Sequence, residues 1–191
     1  MTIAMSDPLE TLKTTWGCAT RGDALIPLLV DGLLVTVGGV VSLGILLPPL
    51  MLGYADMTLR VARGERVAMG DSLSGLKRFG SAWVLGLACI GLLILGALAL
   101  GVGAAVASFL LTYALWVSAD APALGAVDVV KRAFALAWAA WPDTLVLWGV
   151  NLVLGTLLSA TVVGSVVAFA FGFVMSAVLY LRHRHTLAAS Y

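Results

Sequence analysis

The chain has 191 residues, of which 61% are apolar and 11% charged, with a formal net charge of +1. An average soluble domain carries about 25% charged residues. This chain therefore has too few polar groups to cover a water-facing surface, and disorder, which needs low hydrophobicity and high charge, is excluded as well.

What remains is an integral membrane protein, read as one domain over residues 1–191, with a mean hydropathy of +1.06. The first apolar run covers residues 24–47 and stops at Pro48-Pro49. At about 1.5 Å per residue it reaches about 36 Å, enough for one tilted span. Residues 50–63 then read as an amphipathic helix stopped by Gly64, with Asp56 and Arg60 at helical spacing. Asp71-Ser72 can cap a shorter helix over 71–79, which carries Leu73, Leu76 and Phe79 on one face.

The second run, residues 81–119, would extend close to ~60 Å as a single helix. Two spans, 82–100 and 103–118, fit better, with Gly101 and Gly103 at the turn. Residues 124–141 form the clearest amphipathic helix. Val127, Val130, Phe134, Trp138 and Trp141 make one stripe, and Asp128, Lys131 and Arg132 lie opposite it. The third run divides in the same way into spans 143–159 and 162–181, with a turn near 159–161. The expected fold is an all-α polytopic transmembrane bundle of about five spans: one single helix, two hairpins, and in-plane linker helices.

All eleven Lys and Arg residues lie outside the apolar runs, and neither hairpin turn carries a charge. The positive-inside rule then places the basic linkers and the C-terminus in the cytoplasm. The expected compartment is the cytoplasmic membrane of a prokaryote. Five spans would put the N-terminus on the opposite side, despite Lys13 and Arg21; a re-entrant first segment would remove that conflict. Trp83, Trp116, Trp138, Trp141 and Tyr180 sit near the basic ends of the spans, where aromatic rings favour the interface.

Few residues offer chemistry. Asp31 is the one acidic residue inside an apolar run. A carboxylate at the centre of a span costs roughly 2.5–3.5 kcal/mol, so Asp31 must be neutral, wetted, or in contact with an ion or substrate. Asn151 reads as an interhelical hydrogen bond or a polar contact beside it. Gly164, Ala168, Gly172 and Ser176 recur every four residues and make a small-residue face for close helix packing, within the protein or across a dimer seam. Arg60, Arg63, Lys77, Arg78, Lys131 and Arg132 are the expected headgroup contacts, and His183 is expected to snorkel beside them. Asp143 reads as a helix cap. No nucleophile has a base and an orienting partner, and no phosphate loop, metal set or cofactor fingerprint appears. The two cysteines, Cys18 and Cys89, make neither a disulfide framework nor a zinc site, and the scattered basic residues leave no footprint for nucleic acid.

Two segments carry a family resemblance. One is Pro49-Leu50-Met51-Leu52-Gly53-Tyr54, continuing through Leu59-Arg60 to Arg63-Gly64-Glu65. The other is Asp71-Ser72-Leu73-Ser74-Gly75-Leu76-Lys77-Arg78-Phe79. Together they resemble small prokaryotic integral membrane proteins similar to the membrane domain attached to some glycerophosphodiester phosphodiesterases. The resemblance implies a multi-span helical protein of unsettled function and imports no catalysis. Pro48 stands where that group usually has Gly, and Gly75-Leu76 where it has Gly-Phe.

The expected function is that of a non-enzymatic accessory or scaffold protein. It would pack against itself, as a homo-oligomer, or against a larger membrane-protein complex in the lipid bilayer. The alternative is a small transporter or lipid-handling protein, with a site between the hairpins that uses Asp31.

Overall fold

The computed structural model describes residues 8–98, 102–158 and 161–188. These residues form an all-α bundle: α1 (Pro8–Ala19), α2 (Leu25–Val41), α3 (Leu47–Ala62), a 3-10 helix η1 (Asp71–Arg78), α4 (Phe79–Leu98), α5 (Val102–Leu110), α6 (Ala114–Asp120), α7 (Ala126–Ala139), α8 (Trp141–Leu158) and α9 (Val162–Ala188). Four stretches are long and apolar enough to cross a membrane: Asp71–Leu98, Gly103–Asp120, Trp141–Leu158 and Gly164–Arg184. The chain is a membrane protein.

The two expected hairpins are present. Gly96 and Gly103 meet backbone to backbone where α4 turns into α5. Gly101, expected in that turn, lies outside the described residues. Thr161 opens α9, its hydroxyl accepting from the Gly164 N–H at 3.0 Å, the bond that an N-cap makes. Residues 159 and 160 lie outside the described residues.

The first apolar run departs from expectation. It does not continue as one span to residue 47. α2 ends at Val41, and Leu43 (φ 51°) and Gly44 (φ 86°) reverse the chain in the left-handed region. The Ser42 hydroxyl accepts from the Leu46 N–H at 3.0 Å. Pro48 and Pro49 do not end a helix; they lie in the first turn of α3, where a missing N–H costs nothing. α2 and α3 are thus a tight antiparallel hairpin. Gly39 faces Leu47 so closely that a Cβ there would lie 2.9 Å from the Leu47 side chain. At the tip, the Ile45 carbonyl accepts from the Trp83 indole at 3.0 Å, and Pro48 packs on Gly86. From Gly86, α4 runs on to Leu98, about 18 Å further along its axis.

The second departure concerns residues 50–63, expected to lie in the membrane plane. α3 is instead the central element. Leu50, Leu52, Tyr54, Ala55, Met57, Leu59 and Val61 are all buried, and α3 packs against α1, α2, η1, α4, α6 and α9. Gly64 does stop the helix. It has φ +80°, its N–H donates to Val61, and the Glu65 N–H donates back to the Arg60 carbonyl, the paired bonds of a Schellman end.

η1 crosses α3 with no side chain between them. A Cβ on Gly53 would run into the Ser72 carbonyl, and a Cβ on Gly75 into the Pro49 carbonyl.

α7 also differs in detail. Its protein-facing side is Val129, Ala133, Leu136 and Ala137, all buried, while Val127, Trp138 and Trp141 are exposed. Of the stripe expected to lie in the headgroup plane facing the bilayer, Val127, Trp138 and Trp141 point away from the bundle, as interfacial anchors do, whereas Val130 and Phe134 pack against its core.

α1 packs along the end of α9, and the Arg182 guanidinium donates to the Thr11 hydroxyl at 3.4 Å. The start of α1–α2 and the end of α9 therefore share one end of the bundle with the basic linkers. The α2–α3 hairpin returns the chain to the end of the bundle from which it started, the path of a re-entrant first segment rather than of a single crossing.

The crossing predicts a contrast between glycines. Gly75→Ala should lower stability by about 3 kcal/mol or more, because neither backbone can retreat. Gly149→Ala should leave it unchanged or raise it by under about 1 kcal/mol, since nothing lies within 4 Å of a Cβ at Gly149. Thermal unfolding in detergent checks both; equal effects would contradict the crossing.

Candidate functional site

Asp31 is fully buried. Its Oδ1 accepts from the Gly70 N–H at 2.7 Å and its Oδ2 from the Ser72 N–H at 3.0 Å. These N–H groups open η1 and would otherwise have no helical partner, and a carboxylate is favoured at that helix end. Next to it, the Tyr54 hydroxyl donates to the Leu28 carbonyl at 2.9 Å. Asp31 thus ties α2 to the start of η1. The Ser72 hydroxyl, buried in the crossing, has no hydrogen-bond partner among the described residues.

The basic end is a network of internal pairs. Asp120 is its hub: it pairs with Arg63, accepts from the Tyr180 hydroxyl at 3.0 Å, and lies 3.4 Å from the Arg184 guanidinium. Arg60 pairs with Asp71 at 2.9 Å and with Glu65 at 3.4 Å. The Arg78 guanidinium donates to the Ser118 carbonyl at 2.8 Å, which satisfies the end of α6. Of the six cations expected at headgroups, Arg60, Arg63 and Arg78 are therefore engaged inside the protein; Lys77 and Lys131 are exposed and Arg132 is half-buried. His183 does not snorkel. It is buried, with Nε2 2.7 Å from Oδ2 of the buried Asp143, so Asp143 joins the two ends of the α8–α9 hairpin.

Asp56 lies half-buried within the same network. Burial pushes its carboxyl above the usual range, against the pull of Arg60, Arg63 and Arg78.

A cleft of about 420 Å³ opens between the two hairpins, bounded by α5–α6 on one side and by α8 and α9 on the other. Its walls carry Thr112, Asn151, Ser165 and Ser176. Trp116, Phe169 and Phe173 also line it, with ring centroids 5.1 Å apart for Trp116–Phe173 and 4.5 Å for Phe169–Phe173. The Thr58 hydroxyl fixes the Trp116 indole at 3.3 Å.

The small-residue face of α9 has two roles here. Gly164 and Gly172 permit close approach to α8: Gly164 meets the Leu158 carbonyl, and the Asn151 carboxamide oxygen rests on Gly172. Ala168, Gly172 and Ser176 also line the cleft. The structure brings Asn151 to the cleft and leaves Asp31 out of it. The aromatic lining had no sequence signal beyond apolar periodicity, because Trp116 is more than fifty residues distant from Phe169 and Phe173 in the chain.

Asp31→Ala should cost about 3 kcal/mol, since two charge-assisted bonds are lost. Ser72→Ala, which keeps the backbone N–H, should cost nothing; the reverse order in a denaturation series would overturn the role of Asp31. The Asp56 carboxyl, raised on folding, binds its proton more readily in the folded state. Its contribution is therefore favourable at low pH and is lost as pH rises through the window above the ordinary carboxylate value. Asp56→Asn should raise the thermal midpoint at neutral pH and match wild type in acid. A lower midpoint at neutral pH would show that attraction to the arginines outweighs burial.

Compared with protein-family models, with curated proteins and with solved structures, the chain matches none.

Proposed function

We propose that this membrane protein is a non-enzymatic binder of a lipid-like amphiphile, held in the cleft between its two hairpins. One observation carries the reading: a cleft with an aromatic lining and a few hydroxyl and carboxamide groups, at a place where α9 presents small residues and no other helix among the described residues fills the space. Ligand sites are concave, mostly apolar and supplied with a few polar groups that fix orientation. Asn151 is the polar anchor, and Trp116, Phe169 and Phe173 form the apolar wall. Asp31 is not part of the site, because both of its oxygens are already engaged.

The position of the basic linkers supports a prokaryotic cytoplasmic membrane with the basic end in the cytoplasm. The accessory reading rests on the same surface: Ala168 and Gly172 would equally accept a helix of a membrane partner or of a second copy. The resemblance to phosphodiesterase-linked membrane domains is compatible with either role.

Gly155 lines the cleft with nothing within 4 Å of a Cβ, so Gly155→Leu starts from open space and adds its bulk at the cleft wall. Native mass spectrometry from lipid-retaining nanodiscs should find wild type carrying a small amphiphile, with occupancy falling at least tenfold in Gly155→Leu and in Asn151→Leu. A wild-type protein carrying a stoichiometric second protein and no small molecule would move the site to the accessory reading. Unchanged occupancy in both variants would overturn the cleft as the site.

A further inference from the structure

A second cavity lies at the basic end, away from the cleft. It holds about 450 Å³, within the range of about 300–1,000 Å³ usual for ligand pockets, and forms where the α1–α2 loop meets the α3–η1 loop. Its lining includes Arg21, Asp23, Glu65 and Arg66. The two loops are fixed from within. Gly22 (φ +60°) and Gly64 (φ +80°) hold their left-handed turns, and a Cβ on Gly64 would lie 3.3 Å from the Arg21 guanidinium. The Arg66 carbonyl accepts from Arg60 at 2.9 Å, and Glu65 is paired with Arg60.

Among the described residues Arg21, Asp23 and Arg66 make no ion pair. Two exposed cations and an exposed carboxylate thus share one cavity without pairing with one another, whereas Arg60, Arg63, Arg78, Arg182 and Arg184 each have a partner within the protein. Two guanidiniums suit a phosphate, which they can grip with paired N–H donors, and a carboxylate suits an ammonium. The combination of charges is that of a zwitterionic phosphate–ammonium group.

An apolar track begins two residues from the cavity wall. From Ile26, two residues beyond Ala24 in the cavity wall, the exposed residues Val30, Leu33, Val37 and Val40 follow at spacings of four, three, four and three. That period keeps one face of α2 in line, and this face leads from the charged cavity along the hairpin. A headgroup in the cavity would have its acyl chains on the track.

We infer that the Arg21–Asp23–Arg66 cavity binds the headgroup of a zwitterionic phospholipid, its phosphate at the two arginines and its ammonium at Asp23, with its chains along α2. The site is separate from the cleft and does not depend on what the cleft holds.

The test uses delipidated protein carrying Gly155→Leu, so that an occupant of the cleft is not counted. Phosphatidylethanolamine and phosphatidylglycerol of identical chains are offered in equal amounts and retained lipid is read by native mass spectrometry. Phosphatidylethanolamine should be held in at least fivefold excess. The Arg21→Ala/Arg66→Ala pair should lower its retention at least tenfold. Asp23→Asn, which removes only the partner of the ammonium, should shift the preference towards phosphatidylglycerol; this readout stands even if the double variant fails to fold. Equal retention of the two lipids, or a preference that Asp23→Asn leaves unchanged, would overturn the site. If O-phosphoethanolamine, which has no chains, is bound as tightly as the lipid, the α2 track is overturned and the ligand is a soluble phosphate–ammonium compound.

Discussion

The structure depends on two backbones that touch. Gly53 of α3 and Gly75 of η1 leave no room for a side chain, and Asp31 reaches across from α2 to hold the first N–H groups of η1. This joint fixes three things at once. It buries α3, which would otherwise be an amphipathic surface helix. It locks α2 against α3, so the first apolar run folds back on itself. It also sets the point from which α4 departs into the membrane. A buried carboxylate is tolerated here because two N–H donors replace the water it has lost.

The basic end follows from the same arrangement. Once α3, η1, α6 and α9 converge there, Arg63, Asp120, Tyr180 and Arg184 are brought together, as are Arg60 and Asp71 and, on the α8–α9 hairpin, Asp143 and His183. Charges that hydropathy alone assigns to headgroups are spent on holding helix ends together. Three charges outside that network, Arg21, Asp23 and Arg66, gather around one cavity between the α1–α2 and α3–η1 loops. At the other side of the bundle the hairpins part and leave the cleft lined by Trp116, Asn151 and Phe173.

Local features were legible in the sequence. Both long hairpins follow from run length, the stop at Gly64 from the composition around it, and Asp31 and Asn151 stand out as polar residues in apolar runs. The reversal at Leu43–Gly44 was hidden because hydropathy continues straight through it, and Pro48-Pro49 marks a helix start as readily as a stop. The burial of α3 was hidden because its amphipathic pattern fits a protein surface and a bilayer surface alike. The pairing of Arg63 with Asp120, and the meeting of Trp116 with Phe173, join residues more than fifty positions apart; no spacing rule reaches that far. The stripe on α7 was visible, but not its division between Val130 and Phe134, which pack against the core, and Val127 and Trp138, which face away from it.

The fold depends most directly on the first hairpin returning to its own side. Single cysteines at Glu10, Leu43 and Glu65, in a background lacking Cys18 and Cys89, can be labelled with a membrane-impermeant maleimide in sealed vesicles of known orientation. Glu10 and Glu65 are exposed on either side of the hairpin, and Leu43 is 92% exposed at its tip. Positions 10 and 65 should label from the same face, with position 43 unlabelled from the opposite one. Labelling of positions 10 and 65 from opposite faces would mean that the first apolar run crosses the membrane, and would contradict the joint on which the fold is built.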